Sequence, residues 1–118
     1  VSRGEVYDAQ LDPTLGSEPA GTRPVIVVSR DALNNASPVV VVVPLTTYRD
    51  GRRIYQSQVL LRAPEGGLSV DSVAMGEQVR AIDKRRLARR RGDLSASAQA
   101  LVDRALAITL DLFVPEFT

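Results

Sequence analysis

Short β-branched runs along this chain are separated by polar breaks marked with Gly and Pro, and one helical period closes it. From Gly4 to Leu11, the apolar residues Val6, Ala9 and Leu11 stand among polar ones, as in a half-buried first strand. The next stretch, DPTLGSEPAGT, places two Pro and two Gly within eleven residues and reads as loop. Arg23 to Ser29 (RPVIVVS) is a continuous apolar run, the signature of a buried strand. Asp31 to Asn34 fits one helical turn, and Asn35 to Ser37 fits a loop. Pro38 to Leu45 contains five consecutive Val and predicts a strand; Pro44 lacks a ladder donor, so that end belongs at an edge or bulge.

Residues 46–55 form a basic, polar loop around Asp50-Gly51, a turn signal. Gln56 to Arg62 predicts a fourth strand, which PEGG at 64–67 interrupts, and Val70 to Ile82 contains a fifth, with Gly76 at a bulge or close backbone approach. The basic segment DKRRLARRRG has room for a single helical turn. Ser95 or Ser97 caps a helix running to about Leu112, where Leu101, Ala105, Ile108 and Leu112 recur at helical spacing, reinforced by Ala98, Val102 and Leu106. The expected core is Val25, Val27, Val41, Val43, Val73, Leu101 and Ile108.

These elements predict a mainly β, α+β fold: a curled antiparallel sheet or small barrel with the C-terminal helix packed on it. The 118 residues make one domain spanning 1–118, and 44% apolar with 25% charged residues is an ordinary globular balance. No apolar run approaches the ~18 residues of a membrane span, and no signal-peptide pattern opens the sequence. With no cysteine, these features point to the cytoplasm.

Two absences narrow the chemistry. Without Cys there is no thiol nucleophile or thiolate metal site, and without His there is no Ser-His-Asp triad, HExxH site or imidazole base. Neither GxxxxGK[ST] nor GxGxxG occurs, so nucleotide-cradle motifs are missing. Asp8 and Asp12, or Asp71 and Glu77, are too weakly patterned to predict a divalent-metal site, and none is expected.

Charge is sharply partitioned although the net is +1. Residues 1–48 carry three Arg against five acids, residues 49–91 carry ten Arg and Lys84 against five, and residues 92–118 carry Arg104 against four. Fourteen of the 15 basic residues are Arg, whose planar fork suits phosphate. A GC-rich genome would account for the bias but not for its clustering, so the middle of the chain reads as an anion-facing surface.

The loop GSEPAGTRP fixes its backbone with Gly and Pro, then sets Ser17, Glu18, Thr22 and Arg23 beside a buried strand. A guanidinium opening an apolar run is costly unless it is paired or faces a groove. The plain reading is an Arg bonded to Glu18 or to a loop carbonyl. Thr46 and Thr47 end the Val-rich strand where the chain turns basic. On a strand, Glu77 and Val79 share one face and Gln78 and Arg80 the other, a pattern that suits RNA contact or a solvated face equally.

The strings RGEVYDAQLDPTLGSEPAGTRPVIVVS, VVVVPLTT and DSVAMGEQVRAIDKRRL, in this order, resemble the MazF/PemK family of toxin endoribonucleases from Arg3 to the C-terminal helix. PemK-type members carry an early His and an Arg at the position of Met75; this chain has neither, so the resemblance is to the MazF branch. It implies an SH3-like β-barrel, a homodimer, a cognate MazE-like antitoxin, and metal-free cleavage of single-stranded RNA with no cofactor. The catalytic Arg falls on Arg23 and the catalytic Thr on Thr46. Glu18 falls at a position linked to activity, Glu77, Gln78 and Arg80 match the substrate-facing strand, and Ser17 joins them as an RNA contact.

That chemistry needs no His, because RNA supplies its own nucleophile in the 2′-hydroxyl. Arg23 would stabilise the phosphorane, Thr46 would donate a hydroxyl, and Glu18 or Glu77 would assist proton transfer, leaving 2′,3′-cyclic phosphate and 5′-hydroxyl ends. Two rivals stay open: a non-catalytic, topoisomerase-directed toxin of the CcdB type, and a small-barrel RNA-binding module. The latter usually shows aromatic platforms, and only 4% of this chain is aromatic.

Overall fold

The computed structural model describes residues 1–113. One antiparallel sheet contains β1 (Glu5–Gln10), β2 (Thr22–Val27), β3 (Val39–Thr47), β4 (Gln58–Leu61), β5 (Ser72–Met75), β6 (Arg80–Asp83) and β7 (Leu87–Asp93). Helix α1 (Asp31–Ala36) links β2 to β3, and α2 (Ala96–Thr109) follows β7. The strand order is β4-β5-β3-β2-β1-β7, with β6 also paired to β3. β4 and β7 do not pair, so the expected curled antiparallel sheet with its C-terminal helix is found, and it is open at this seam. The curl is visible in one buried cluster, where Val6 of β1 meets Val59 of β4 along with Ile26, Val43, Leu45 and the helix residues Ala98, Val102 and Ala105. A second cluster on the other face joins Ala9, Leu11, Val25, Val27, Val40, Val42 and Ile82.

β3 organises the sheet because nine residues are long enough to change partners. Val39 to Val42 pair with β6, while Leu45 to Thr47 pair with β5. Pro44, which has no N–H to donate, falls in the gap between the two partners, the interruption its sequence demanded. Ser95 caps α2, its hydroxyl accepting from the Ala98 N–H at 3.2 Å. The Glu65 carboxylate anchors the same residue, accepting from its N–H at 2.7 Å and its hydroxyl at 2.9 Å.

Several expectations need correction. The stretch Val70–Ile82 is not one strand: β5 ends at Met75, a 3-10 turn spans Gly76–Gln78, and β6 begins at Arg80. A Cβ on Gly76 would lie 2.4 Å from the Ser57 carbonyl oxygen, so the chain turns there against a neighbouring backbone. The alternation drawn through Glu77 to Arg80 therefore does not hold. The basic run is mostly strand β7, preceded by a 3-10 turn at Lys84–Arg86 in which the Asp83 side chain accepts the Arg85 N–H. Of the expected core, Val41 is only partly buried, and Leu101 and Ile108 are 50% and 41% exposed. α2 turns Ala98, Val102 and Ala105 to the sheet, with Leu106 packed at the margin of that cluster, and leaves Leu101 and Ile108 outside. The helix ends at Thr109 instead of Leu112. Phe117 lies outside the described residues.

Candidate active site

The loop before β2 is held by its own polar groups. Asp12 accepts the Gly21 N–H at 3.1 Å, Glu18 accepts the Leu15 N–H at 2.6 Å, and the Leu11 N–H donates to the Gly21 carbonyl at 2.9 Å. Arg86 of the basic segment donates to the Gln10 carbonyl at 3.1 Å and to that of Asp12. This frame delivers Arg23 to the start of β2 in a fixed orientation. Its Nε donates to the Ala20 carbonyl at 3.2 Å and its Nη1 to the Leu45 carbonyl at 3.4 Å. No carboxylate among the described residues forms an ion pair with it.

The second contact sets the geometry of the pair. β2 and β3 run antiparallel, their paired stretch ending at Val25 opposite Pro44, and beyond that end Arg23 lies on the side of β2 towards which β3 runs on to Thr46. Arg23 is thus pinned to the backbone at Leu45, the residue next to Thr46. Both line one cleft of about 350 Å³, whose other walls are Thr22, Pro24, Leu45, Thr47, Leu68, Ser69, Val70, Ser72 and Arg91. Thr47 points to the opposite face of the strand from Thr46, yet it borders the same cleft because the cleft lies at the strand ends.

Arg91 is the cleft residue that the sequence reading missed. Its side chain is only 13% exposed, and it donates to Asp8 at 3.2 Å, to Ser69 Oγ at 3.2 Å and to the Gly67 carbonyl at 3.4 Å. It ties β1 to the Gly67–Ser69 wall. The neighbouring Arg89 is 72% exposed at its side chain and only 3.7 Å from Asp8, and Arg90 pairs with Glu5 at 2.6 Å. Burial pushes the Glu5 carboxyl up, but hydrogen bonds from Arg90 and from the Ser2 N–H outweigh it and leave the pKa below its usual value.

The other expected site residues lie elsewhere. Ser17 and Glu18 are exposed on the loop and do not line the cleft. Glu77 is held in a separate cavity by Ser57 Oγ at 3.2 Å and Gln58 Nε2 at 2.8 Å, beside Arg53, Ile54, Tyr55 and Ile108. Gln78 sits in the 3-10 turn, and Arg80 stands opposite Val42 with its Nη1 buried and without a hydrogen-bond partner. Among the described residues no cluster of three Asp or Glu could hold a metal ion, and no helix is long and apolar enough to cross a membrane.

Comparison with known proteins gives the family. Residues 2–110 match the profile of the PemK-like, MazF-like toxins of type II toxin–antitoxin systems. The chain is 42% identical to endoribonuclease MazF9 of Mycobacterium tuberculosis, over 96% of this chain and 98% of that one. It is 39% identical to endoribonuclease EndoA of Bacillus subtilis, over 95% and 96% respectively. Among solved structures, a mycobacterial endoribonuclease in complex with its cognate antitoxin superimposes with a TM-score of 0.80 at 27% identity, covering 98% of this chain and 99% of that one. MazF from Deinococcus radiodurans does so with a TM-score of 0.80 at 27% identity, covering 95% and 97%. The fold, the near-complete coverage and the profile agree: this chain belongs to the PemK-like, MazF-like toxins of type II toxin–antitoxin systems.

Proposed function

We propose that the protein is a metal-independent endoribonuclease toxin that cuts single-stranded RNA at the Arg23–Thr46 cleft. The observation that carries this reading is the placement of one guanidinium and one hydroxyl on a shared cleft, the guanidinium bonded to the carbonyl next to the hydroxyl's residue, in a chain without His or Cys. An Arg has five N–H donors, and two of those of Arg23 go to carbonyls, so three are free for a phosphate. The RNA 2′-oxygen attacks phosphorus, forming one P–O bond while the bond to the 5′-oxygen breaks. Arg23 stabilises the added charge on the non-bridging oxygens, and Thr46 donates its hydroxyl to the same phosphate or to the departing oxygen. The 2′-hydroxyl proton leaves and the 5′-oxygen gains one, so the products are a 2′,3′-cyclic phosphate and a 5′-hydroxyl. Of the two acids considered for proton transfer, Glu18 is carried on the loop that delivers Arg23, whereas Glu77 is engaged in another cavity.

Leu101, Ile108 and Tyr55 leave apolar surface for an isologous homodimer, and a cognate acidic antitoxin would compete for the Arg-lined face. The test is incubation with a structureless RNA in EDTA, followed by end analysis. Fragments that accept a 5′ label without prior phosphatase treatment are expected. Intact RNA that is cut only after Mg²⁺ is added would overturn the mechanism, and RNA intact under both conditions would favour the binding-protein rivals. Light scattering reads the oligomer, and a monomer mass at micromolar concentration would sink the dimer.

A further inference from the structure

Three strand ends meet beside the cleft and assemble a feature that the Arg23–Thr46 chemistry does not use. Tyr48 follows Thr46 by two residues, and its N–H donates to the Asp71 carbonyl at 2.8 Å, extending the β3–β5 ladder one step past Thr47–Ser72. Residues two apart on a strand share a face, about 7 Å apart, so Tyr48 is the next side chain along from Thr46. Across the ladder, Asp71 lies between Val70 and Ser72, both of which line the cleft. Its carboxylate accepts from Arg62 Nη1 at 2.8 Å and from the Ala63 N–H at 2.9 Å. Arg62, held in this way, lays its guanidinium over the Tyr48 ring, 5.5 Å from the centroid.

The result is a pre-ordered pairing of guanidinium and ring beside the cleft. Tyr48 is partly buried, while the Arg62 side chain remains 65% exposed, so the pair meets solvent. Aromatic rings and guanidinium planes are the surfaces on which unpaired RNA bases stack, and such contacts tolerate any base. Other aromatic side chains are placed differently. Tyr7 packs on the second buried cluster, and Tyr55 sits with Arg53 beside the Glu77 cavity.

We propose that the Tyr48–Arg62 pair is the seat of a nucleobase flanking the scissile phosphate, a platform that holds the strand while Arg23 and Thr46 act on the backbone. The inference rests on the ribonuclease reading above, and its test separates the two. A structureless RNA is cut first, which reads the nuclease and maps its site. The same RNA is then synthesised with 2-aminopurine walked one position at a time and a 2′-deoxy sugar at each mapped site to prevent cleavage. Binding should quench fluorescence at one position next to the mapped phosphate. Tyr48→Leu should abolish that quench and raise KM roughly 5- to 150-fold, with kcat within about two-fold of the parent. Tyr48→Trp should restore both, which a purely structural role would not. A quench unchanged in Tyr48→Leu, or one lost in Tyr55→Leu instead, overturns the platform while leaving the nuclease intact. If the RNA stays uncut, the nuclease reading falls; 2-aminopurine walked along that all-ribose RNA then tests the base seat alone, which a Tyr48-dependent quench upholds and its absence overturns.

Discussion

Replacing Arg23 with alanine tests the catalytic assignment most directly. The side chain is anchored by two carbonyl hydrogen bonds of 3.2 and 3.4 Å and by no carboxylate, so its removal leaves no buried acid unpaired. Losing two such bonds costs about 2 kcal/mol of stability at most, which leaves a folded protein. The catalytic loss is larger, because a fork of charged donors aimed at the phosphorane disappears, and removal of one such donor lowers kcat about a hundred- to a thousand-fold. Arg23→Lys keeps the charge but cannot hold the Ala20 and Leu45 carbonyls and a phosphate together, so it should recover only part of the rate. Arg89→Ala is the matched control: it removes a mostly exposed guanidinium outside the cleft. Its effect on RNA binding should be small at low salt and vanish as salt rises, whereas the Arg23 deficit persists. The assay is single-turnover cleavage of a labelled RNA in EDTA at two ionic strengths, with denaturant melts on each variant. Parental single-turnover rates for a folded Arg23→Ala would refute both the site and the mechanism.

Other consequences can be checked by stability alone. Asp8→Ala leaves Arg91 largely buried without its carboxylate and should cost about 2–3 kcal/mol in urea melts, whereas Asp8→Leu combined with Arg91→Leu should recover most of it; equal losses in single and double variants would deny the coupling. Gly67→Ala would set a Cβ 2.1 Å from the Arg91 carbonyl oxygen at a φ of +75°, so a loss of about 2–4 kcal/mol is expected. Gly51→Ala, with φ +84° but open space around it, should lose about half as much; similar losses at both sites would refute the steric argument. Hydrogen bonds from the Arg85 side chain and N–H pull the Asp83 carboxyl down to about 2, and those from Arg62 and the Ala63 N–H lower Asp71. A carboxyl lowered on folding adds stability that is complete above its unfolded value of about 3.9 and is lost as pH falls through the folded one. The urea midpoint should therefore drop between about pH 4 and pH 2, and removing both carboxylates should flatten that drop.

Strands built from β-branched runs were legible because propensity and burial agree there. β2 and β3 appear within a residue or two of where their Val and Ile residues place them. β7 was hidden because its pairing with β1 spans most of the chain, and an Arg-rich run carries no apolar alternation. The helix was legible from its Ser95 cap and its period, but its buried face was not. Two apolar stripes wind around α2, and packing chose the one with alanines. In the site, Arg23 and Thr46 stand out by local context, one after a rigid loop and one at a strand end. Arg91 depends on a contact with Asp8 83 residues away, and the Asp71–Arg62 clamp on how β4 and β5 pair, for neither of which one sequence offers a local mark.

The closure of β1 by β7 also has a consequence in time. Translation makes β1 well before β7, so its outer edge stays open until residues 87–93 exist to pair with it. Arg23 and Thr46 are synthesised early, yet the walls at Leu68–Ser72 and Arg91 come much later, and Arg91 reaches Asp8 only when the sheet closes. A nascent chain on the ribosome therefore carries Arg23 and Thr46, the pair proposed for cleavage, without the cleft around them until Arg91 has been added.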